Sequence, residues 1–186
     1  MVTSVISASH LVSKPAQSGS EESIPQAEQE QEQSPENDSD ATHTTICLTI
    51  FIFRGEPDMY FKRHVILYFT SPELPDFCET VHIQRVGETG PWMVDRARGA
   101  IDWALEANYC AHVNAGAVVV TRGEEMVPVA VTAGVPVQSR LNMSWNCQNF
   151  VLEGLQALVD EGFQTQEWYT AVEDELVERL MDGTVG

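Results

Sequence analysis

The chain has 186 residues, 43% of them hydrophobic, with 10 basic residues against 28 acidic ones and a formal net charge of -18. That length allows one domain with a sizeable core. A charge of this sign repels nucleic acid and anionic membrane surfaces, and no Lys/Arg cluster reverses it locally, so the composition argues against both as partners.

Residues 1–43 read as a disordered acidic tail, and residues 44–186 as the folded domain. The tail carries eight acidic residues and one lysine, net -7, which leaves -11 for the rest. Residues 14–42 hold Pro, Ser, Gln, Glu and Asp, and residues 26–33 are a low-complexity Gln/Glu run. Such a segment buries too little apolar surface to offset its ordering entropy. The first 13 residues have no basic start, no sustained apolar run and no cleavage site, so no signal peptide is expected. No apolar run approaches the ~20 residues a membrane-spanning helix needs. Cys47, Cys78, Cys110 and Cys147 are widely spaced, without a C-x-x-C pair. Neither a zinc site nor a disulfide framework is indicated, and free thiols in the cytoplasm are the expectation.

Within the domain, Ile46 to Phe53 is dense in β-branched and aromatic residues and reads as a buried strand. Residues 54–58 form a turn, Lys62 to Thr70 a second strand, residues 71–76 a loop, and Thr80 to Val86 a third strand. Residues 92–107 are ambiguous: Ala97 to Ala107 fits a helix with Ile101 and Leu105 inward, although Gly99 weakens it. Ala115 to Thr121 reads as a strand. Val127 to Val137 is an apolar stretch broken by Pro128, Gly134 and Pro136, read as core or as a partner surface. A helix is expected from Trp145 to Asp160, with Cys147, Val151, Leu155, Leu158 and Val159 on one face. Gly162 ends it, and Thr165 caps a second helix that runs to Met181. Trp168, Val172, Leu176 and Leu180 line its inner face, while Glu173, Asp174, Glu175 and Glu178 are a solvated face. Strands first and helices last is the order of an α+β domain, an antiparallel sheet packed against C-terminal helices.

The segment Trp145-Asn146-Cys147-Gln148-Asn149-Phe150 sets a cysteine on the first turn of a helix. A helix N-terminus favours a thiolate over a thiol, and a thiolate is a nucleophile. A cysteine nucleophile also needs a base and a group to orient that base. His64 and Tyr68 share one face of the second strand, and His82 lies on the returning strand. A hairpin centred near Glu73 sets His64 and His82 directly opposite, with Cβ atoms about 4.5–5.5 Å apart. In that arrangement His64 takes the thiol proton and His82 fixes its tautomer. Tyr68 donates to the oxyanion beside the Cys147 backbone N–H. Each residue also has a plainer reading: Cys147 and Tyr68 as core, His64 and His82 as strand-end or exposed polar residues.

The pattern His64-Val65-Ile66-Leu67-Tyr68, a second histidine on the next strand, and Asn146-Cys147-Gln148-Asn149-Phe150 opening a later helix resembles the NlpC/P60 superfamily. The similarity is to its circularly permuted papain-like members, and within them to the lecithin retinol acyltransferase-like branch, where Asn-Cys-Glu-His-Phe opens the nucleophile helix. It covers roughly residues 60–160. The resemblance implies a permuted papain-like fold with Cys147 as nucleophile, His64 as base, His82 as orienting group and Tyr68 on the oxyanion side. Gln148-Asn149 stands where that branch has an acidic–His pair, which argues against a phospholipid or retinyl-ester substrate. The Trp-Asn-Cys-Gln-Asn string also resembles small fungal proteins of unassigned substrate.

The expected activity is therefore a cysteine-dependent hydrolase or acyltransferase. It would act on an amide, ester or thioester carbonyl of a small-molecule or peptide substrate, with no metal or organic cofactor. The alternative is a non-catalytic binding or accessory subunit on the same fold, with a protein partner or a role in natural-product biosynthesis that includes templated cyclisation.

Overall fold

The computed structural model describes residues 42–85, 87, 90–138 and 144–184; the tail expected over residues 1–43 lies outside them as far as residue 41. The first element among the described residues is the strand β1 (His43–Phe53). Its burial alternates along the strand, which puts Ile46, Leu48, Ile50 and Ile52 on one face with no exposure. A single 3-10 turn (Tyr60–Lys62) leads into β2 (His64–Thr70), followed by β3 (Cys78–Arg85), β4 (Trp92–Arg98) and β5 (Tyr109–Thr121). These form one five-stranded sheet in the order β4-β3-β2-β1-β5, with every neighbouring pair antiparallel. Three helices follow: α1 (Met126–Ala133), α2 (Cys147–Asp160) and α3 (Gln166–Met181). The fold is α+β.

The core lies between one face of the sheet and the helices. Val65, Leu67 and Phe69 of β2 and Val81 and Ile83 of β3 meet Val151, Leu155 and Leu158 of α2, all essentially without exposure. Each such side chain contributes about 1.5–3 kcal/mol on burial. Since side chains alternate along a strand, His64, Ile66 and Tyr68 stand on the face away from the helices. Residues 99–108 cross that face: the Ile101 N–H donates to the Tyr68 hydroxyl (3.4 Å) and the Trp103 indole N–H to Thr80 Oγ1 (3.3 Å).

Several expectations change. The helix read into Ala97 to Ala107 is absent; the edge strand β4 occupies Trp92–Arg98, and only Trp103–Leu105 makes a 3-10 turn. Gly99, at φ +123, turns the chain after β4, and Leu105, expected inward, is 81% exposed. β5 starts six residues before Ala115, because a register shift between Cys47 and Thr49 lets β1 keep its pairing around Asn114 and Gly116. The apolar stretch from Val127 holds α1, with Pro128 in its first turn, where a missing N–H breaks no helical hydrogen bond. Val129 and Thr132 of that helix are buried in the core. The Trp145 helix starts at Cys147, because Asn146 is extended and caps it. No helix among the described residues is long and apolar enough to cross a membrane.

Candidate active site

The β2–β3 ladder pairs Leu67 with Val81 and Thr70 with Cys78, which centres the hairpin on Leu74 instead of Glu73. Continued in that register, His82 faces Ile66, so His64 and His82 are diagonal neighbours and not directly opposite. A two-residue offset keeps both on the same face, and the imidazoles span the diagonal: His64 Nε2 lies 3.2 Å from His82 Nδ1. Across the β3–β4 ladder His82 pairs with Asp95, whose Oδ2 is 3.3 Å from His82 Nε2 and also accepts from Gln84 Nε2 at 3.0 Å.

This chain assigns its own protons. The carboxylate accepts, so His82 carries its proton on Nε2; His82 Nδ1 then accepts, so His64 donates from Nε2. His64 Nδ1 is left with a lone pair, the form a proton acceptor requires. Burial, together with the neighbouring His82, lowers the His64 pKa to about 4. Burial also lowers that of His82, against the opposing pull of Asp95. Both rings are neutral at pH 7.

The thiol reaches the same strand from the helix side. Cys147 Sγ donates to the Arg63 carbonyl at 3.7 Å, and the Val65 N–H hydrogen-bonds the sulfur, so the backbone on both sides of His64 holds the thiol. Both groups lie beyond the last β2–β3 ladder pair, Leu67 with Val81. No hydrogen bond joins Sγ to the His64 ring among the described residues. Cys147 is 7% exposed. That burial pushes its pKa up to about 11, although the Val65, Cys147 and Gln148 backbone N–H groups pull it down. Desolvation therefore outweighs the helix N-terminus, and the resting group is a thiol.

The rest of the motif explains how Cys147 is held. Asn146 Oδ1 accepts from the Gln148 and Asn149 N–H groups, and Asn149 Oδ1 accepts from the Asn146 N–H, a reciprocal cap. Gln148 Nε2 donates to the Tyr60 and Arg63 carbonyls (2.6 and 2.9 Å), which fastens α2 to the 3-10 turn. The turn is anchored in its own right: Arg63, 1% exposed, donates to both oxygens of Asp58 (2.9 and 2.8 Å) and to the Arg179 carbonyl (3.0 Å). The Trp145 indole N–H donates to Glu153 at 2.8 Å.

A cleft of about 1040 Å³ opens at the α2 N-terminus, bordered by Cys147, His64, Tyr60, Phe61, Lys62 and Trp92. A smaller cavity of about 350 Å³ lies on the far side of His64, against Phe53, His82 and Trp103. Tyr68 shares the His64 face but sits four residues along β2, roughly 13 Å of strand. There it accepts from the Ile101 N–H, and burial and Cys78 raise its pKa to about 12. His64 and His82 thus meet on the face away from the helices, Cys147 reaches the same end of β2 from the helix side, His64 and Cys147 both border the larger cleft, and Tyr68 lies apart.

Asp95 was not among the expected site residues. It lies in the stretch 92–107, which the sequence leaves ambiguous. The four cysteines are free thiols. No group of three or more His, Cys, Asp or Glu side chains among the described residues is placed to hold a metal ion. Compared with protein-family models, curated proteins and solved structures, the chain matches none.

Proposed function

We propose that this is a cysteine-dependent hydrolase or acyltransferase of circularly permuted papain-like type, acting on an amide, ester or thioester carbonyl. The observation that carries the reading is the Asp95–His82–His64 hydrogen-bond chain, which ends at the strand residue whose flanking backbone holds the Cys147 thiol. The order of parts, two strand histidines before a cysteine helix packed on an antiparallel sheet, is the permuted order of the NlpC/P60 superfamily. Four free thiols fit a cytoplasmic setting.

The resting pair is uncharged, so proton transfer accompanies attack. Sγ bonds to the carbonyl carbon as its proton passes to His64 Nδ1. His82, backed by Asp95, stabilises the imidazolium that forms. The carbonyl oxygen becomes an oxyanion beside the Cys147 backbone N–H. Its collapse breaks the bond to the leaving group, which takes the proton from His64, and a thioester remains on Cys147. Water, or an acceptor amine or alcohol, attacks that thioester and gives its proton to His64. His64 returns this proton to the departing sulfur. His82 and Asp95 are positioning residues in this scheme.

The test is turnover of aryl esters and thioesters by the full chain, with hydroxylamine as acceptor. Product formation that disappears in Cys147→Ala is expected; equal rates in the two proteins would reject the proposal. A second reading, a non-catalytic binding or accessory subunit, draws on the burial of Cys147, on the capping roles of Asn146 and Asn149 and on the docking role of Gln148. It expects the same ligand or partner to be retained by wild type and Cys147→Ala, with no acylation in either. Templated cyclisation in natural-product biosynthesis falls under this reading.

A further inference from the structure

We propose that the smaller cavity, between the sheet and the 99–108 crossing, binds compounds through an uncharged apolar group of one or two rings. It is a second site: Cys147 does not border it, and it stands whether or not the thiol is acylated.

The walls follow from how the crossing is fastened. At one end the Gly99 N–H donates to the Cys78 carbonyl (2.9 Å), and at the other the Arg54 N–H donates to the Asn108 carbonyl (2.8 Å). Between them the Trp103 indole N–H reaches Thr80. The crossing is thereby held over the outer face, and Ile66 is 2% exposed although it points away from the helices. Phe53 lies between Trp103 and His64, with ring centroids 6.0 and 6.3 Å away. These large rings stand beside the shorter Ile66, and a space of about 350 Å³ remains among them.

Size and chemistry name the occupant. A cavity of about 150 Å³ holds benzene, and small-molecule sites span about 300–1,000 Å³, so this one has room for one or two rings. Phe53, Ile66 and Trp103 offer apolar surface, and burying ring surface against them favours entry. The two histidines make the polar side of the wall. His82 has both nitrogens engaged, with His64 and with Asp95. Neither imidazole is charged at pH 7, so neither gives a counter-charge to an ion that has shed its water. Arg54, Glu106 and Asn108 are exposed and mark the mouth, where a polar substituent stays hydrated. An occupant rests against His64 and His82 together, so these two rings report its arrival.

The test titrates the full-length protein at pH 7 with indole, and with purine as a ring of the same shape and greater polarity. Binding is followed by calorimetry and by the ring C–H signals of the five histidines in NMR. Saturable binding of indole is expected, with shifts at His64 and His82 and none at His10, His43 or His112. Purine should bind at least about fivefold more weakly, because its extra nitrogens find no partners in the walls. Cys147→Ala should bind indole as wild type does. Trp103→Ala removes one wall and should weaken binding at least about threefold; Ile66→Phe fills the space and should abolish it, with circular dichroism checking each fold. No saturable binding, shifts that leave out His64 and His82, or purine bound as tightly as indole overturns the proposal. So does an affinity unchanged in Trp103→Ala, or one lost in Cys147→Ala, which would move the ligand to the larger cleft.

Discussion

The thiol of Cys147 is expected to be slow at rest. With its pKa pushed up to about 11, only about 10⁻⁴ of it is ionised at pH 7, against about 10⁻² for a thiol at the reference value of 9.0. Ionisation alone makes its alkylation about 100-fold slower than that of an unperturbed thiol, and 7% exposure slows it further. The perturbation is pH: iodoacetamide labelling of the folded protein from pH 6 to 10, with the modified cysteine located by peptide mass spectrometry and the fold followed by circular dichroism. The rate at Cys147 should rise about tenfold per pH unit across the range. His64→Ala should leave that profile unchanged, because the imidazole holds no charge to lend the resting thiol. A rate that levels off between pH 6 and 8, or that drops in His64→Ala, would show a preformed thiolate–imidazolium pair and refute the neutral-pair mechanism.

Two predictions concern stability. The folded His64 pKa of about 4 lies below the unfolded value of 6.5. The unfolded state therefore binds more protons between those values, and stability falls as pH drops from 6.5 towards 4. The loss is at most about 3 kcal/mol for His64, and His82 acts with the same sign. Urea midpoints at pH 7 and pH 4.5 should differ less in His64→Gln than in wild type; an equal difference in the two would contradict the assignment. Separately, Asn146→Ala removes the acceptor for two helix N–H groups and should cost about 1 kcal/mol in chemical denaturation. No change there would mean that α2 is held by its packing and not by its cap.

Much of this arrangement was legible because strand and helix periods are local. The strand read from the apolar density of Ile46 to Phe53 forms, with alternate residues buried, and of the expected helical stripe Cys147, Val151, Leu155 and Leu158 are in the core while Val159 is only partly buried. The histidine pair survived a misjudged hairpin centre because an offset of two residues preserves the face. Asp95 did not emerge, since an edge strand with three charged residues in its second half, Asp95, Arg96 and Arg98, lacks the apolar density that marks a central strand. The state of Cys147 was misjudged for a physical reason. The helix N-terminus is visible in sequence and lowers a thiol pKa, whereas the burial that overrides it depends on α2 docking against the 3-10 turn 85 or more residues earlier in the chain. The same docking gives Gln148 a role that its place beside a nucleophile does not announce.

The most direct test of the proposed chemistry is to trap the acyl-enzyme. Wild-type protein mixed with an activated aryl ester and quenched in acid should carry one acyl group, mapped to Cys147. The rate of its formation should fall at least about 10²-fold in His64→Ala, the scale of a lost general base, and by less in Asp95→Asn, whose effect passes through two imidazoles. Acylation spread over other residues, or at Cys147 with a rate indifferent to His64, would contradict the account.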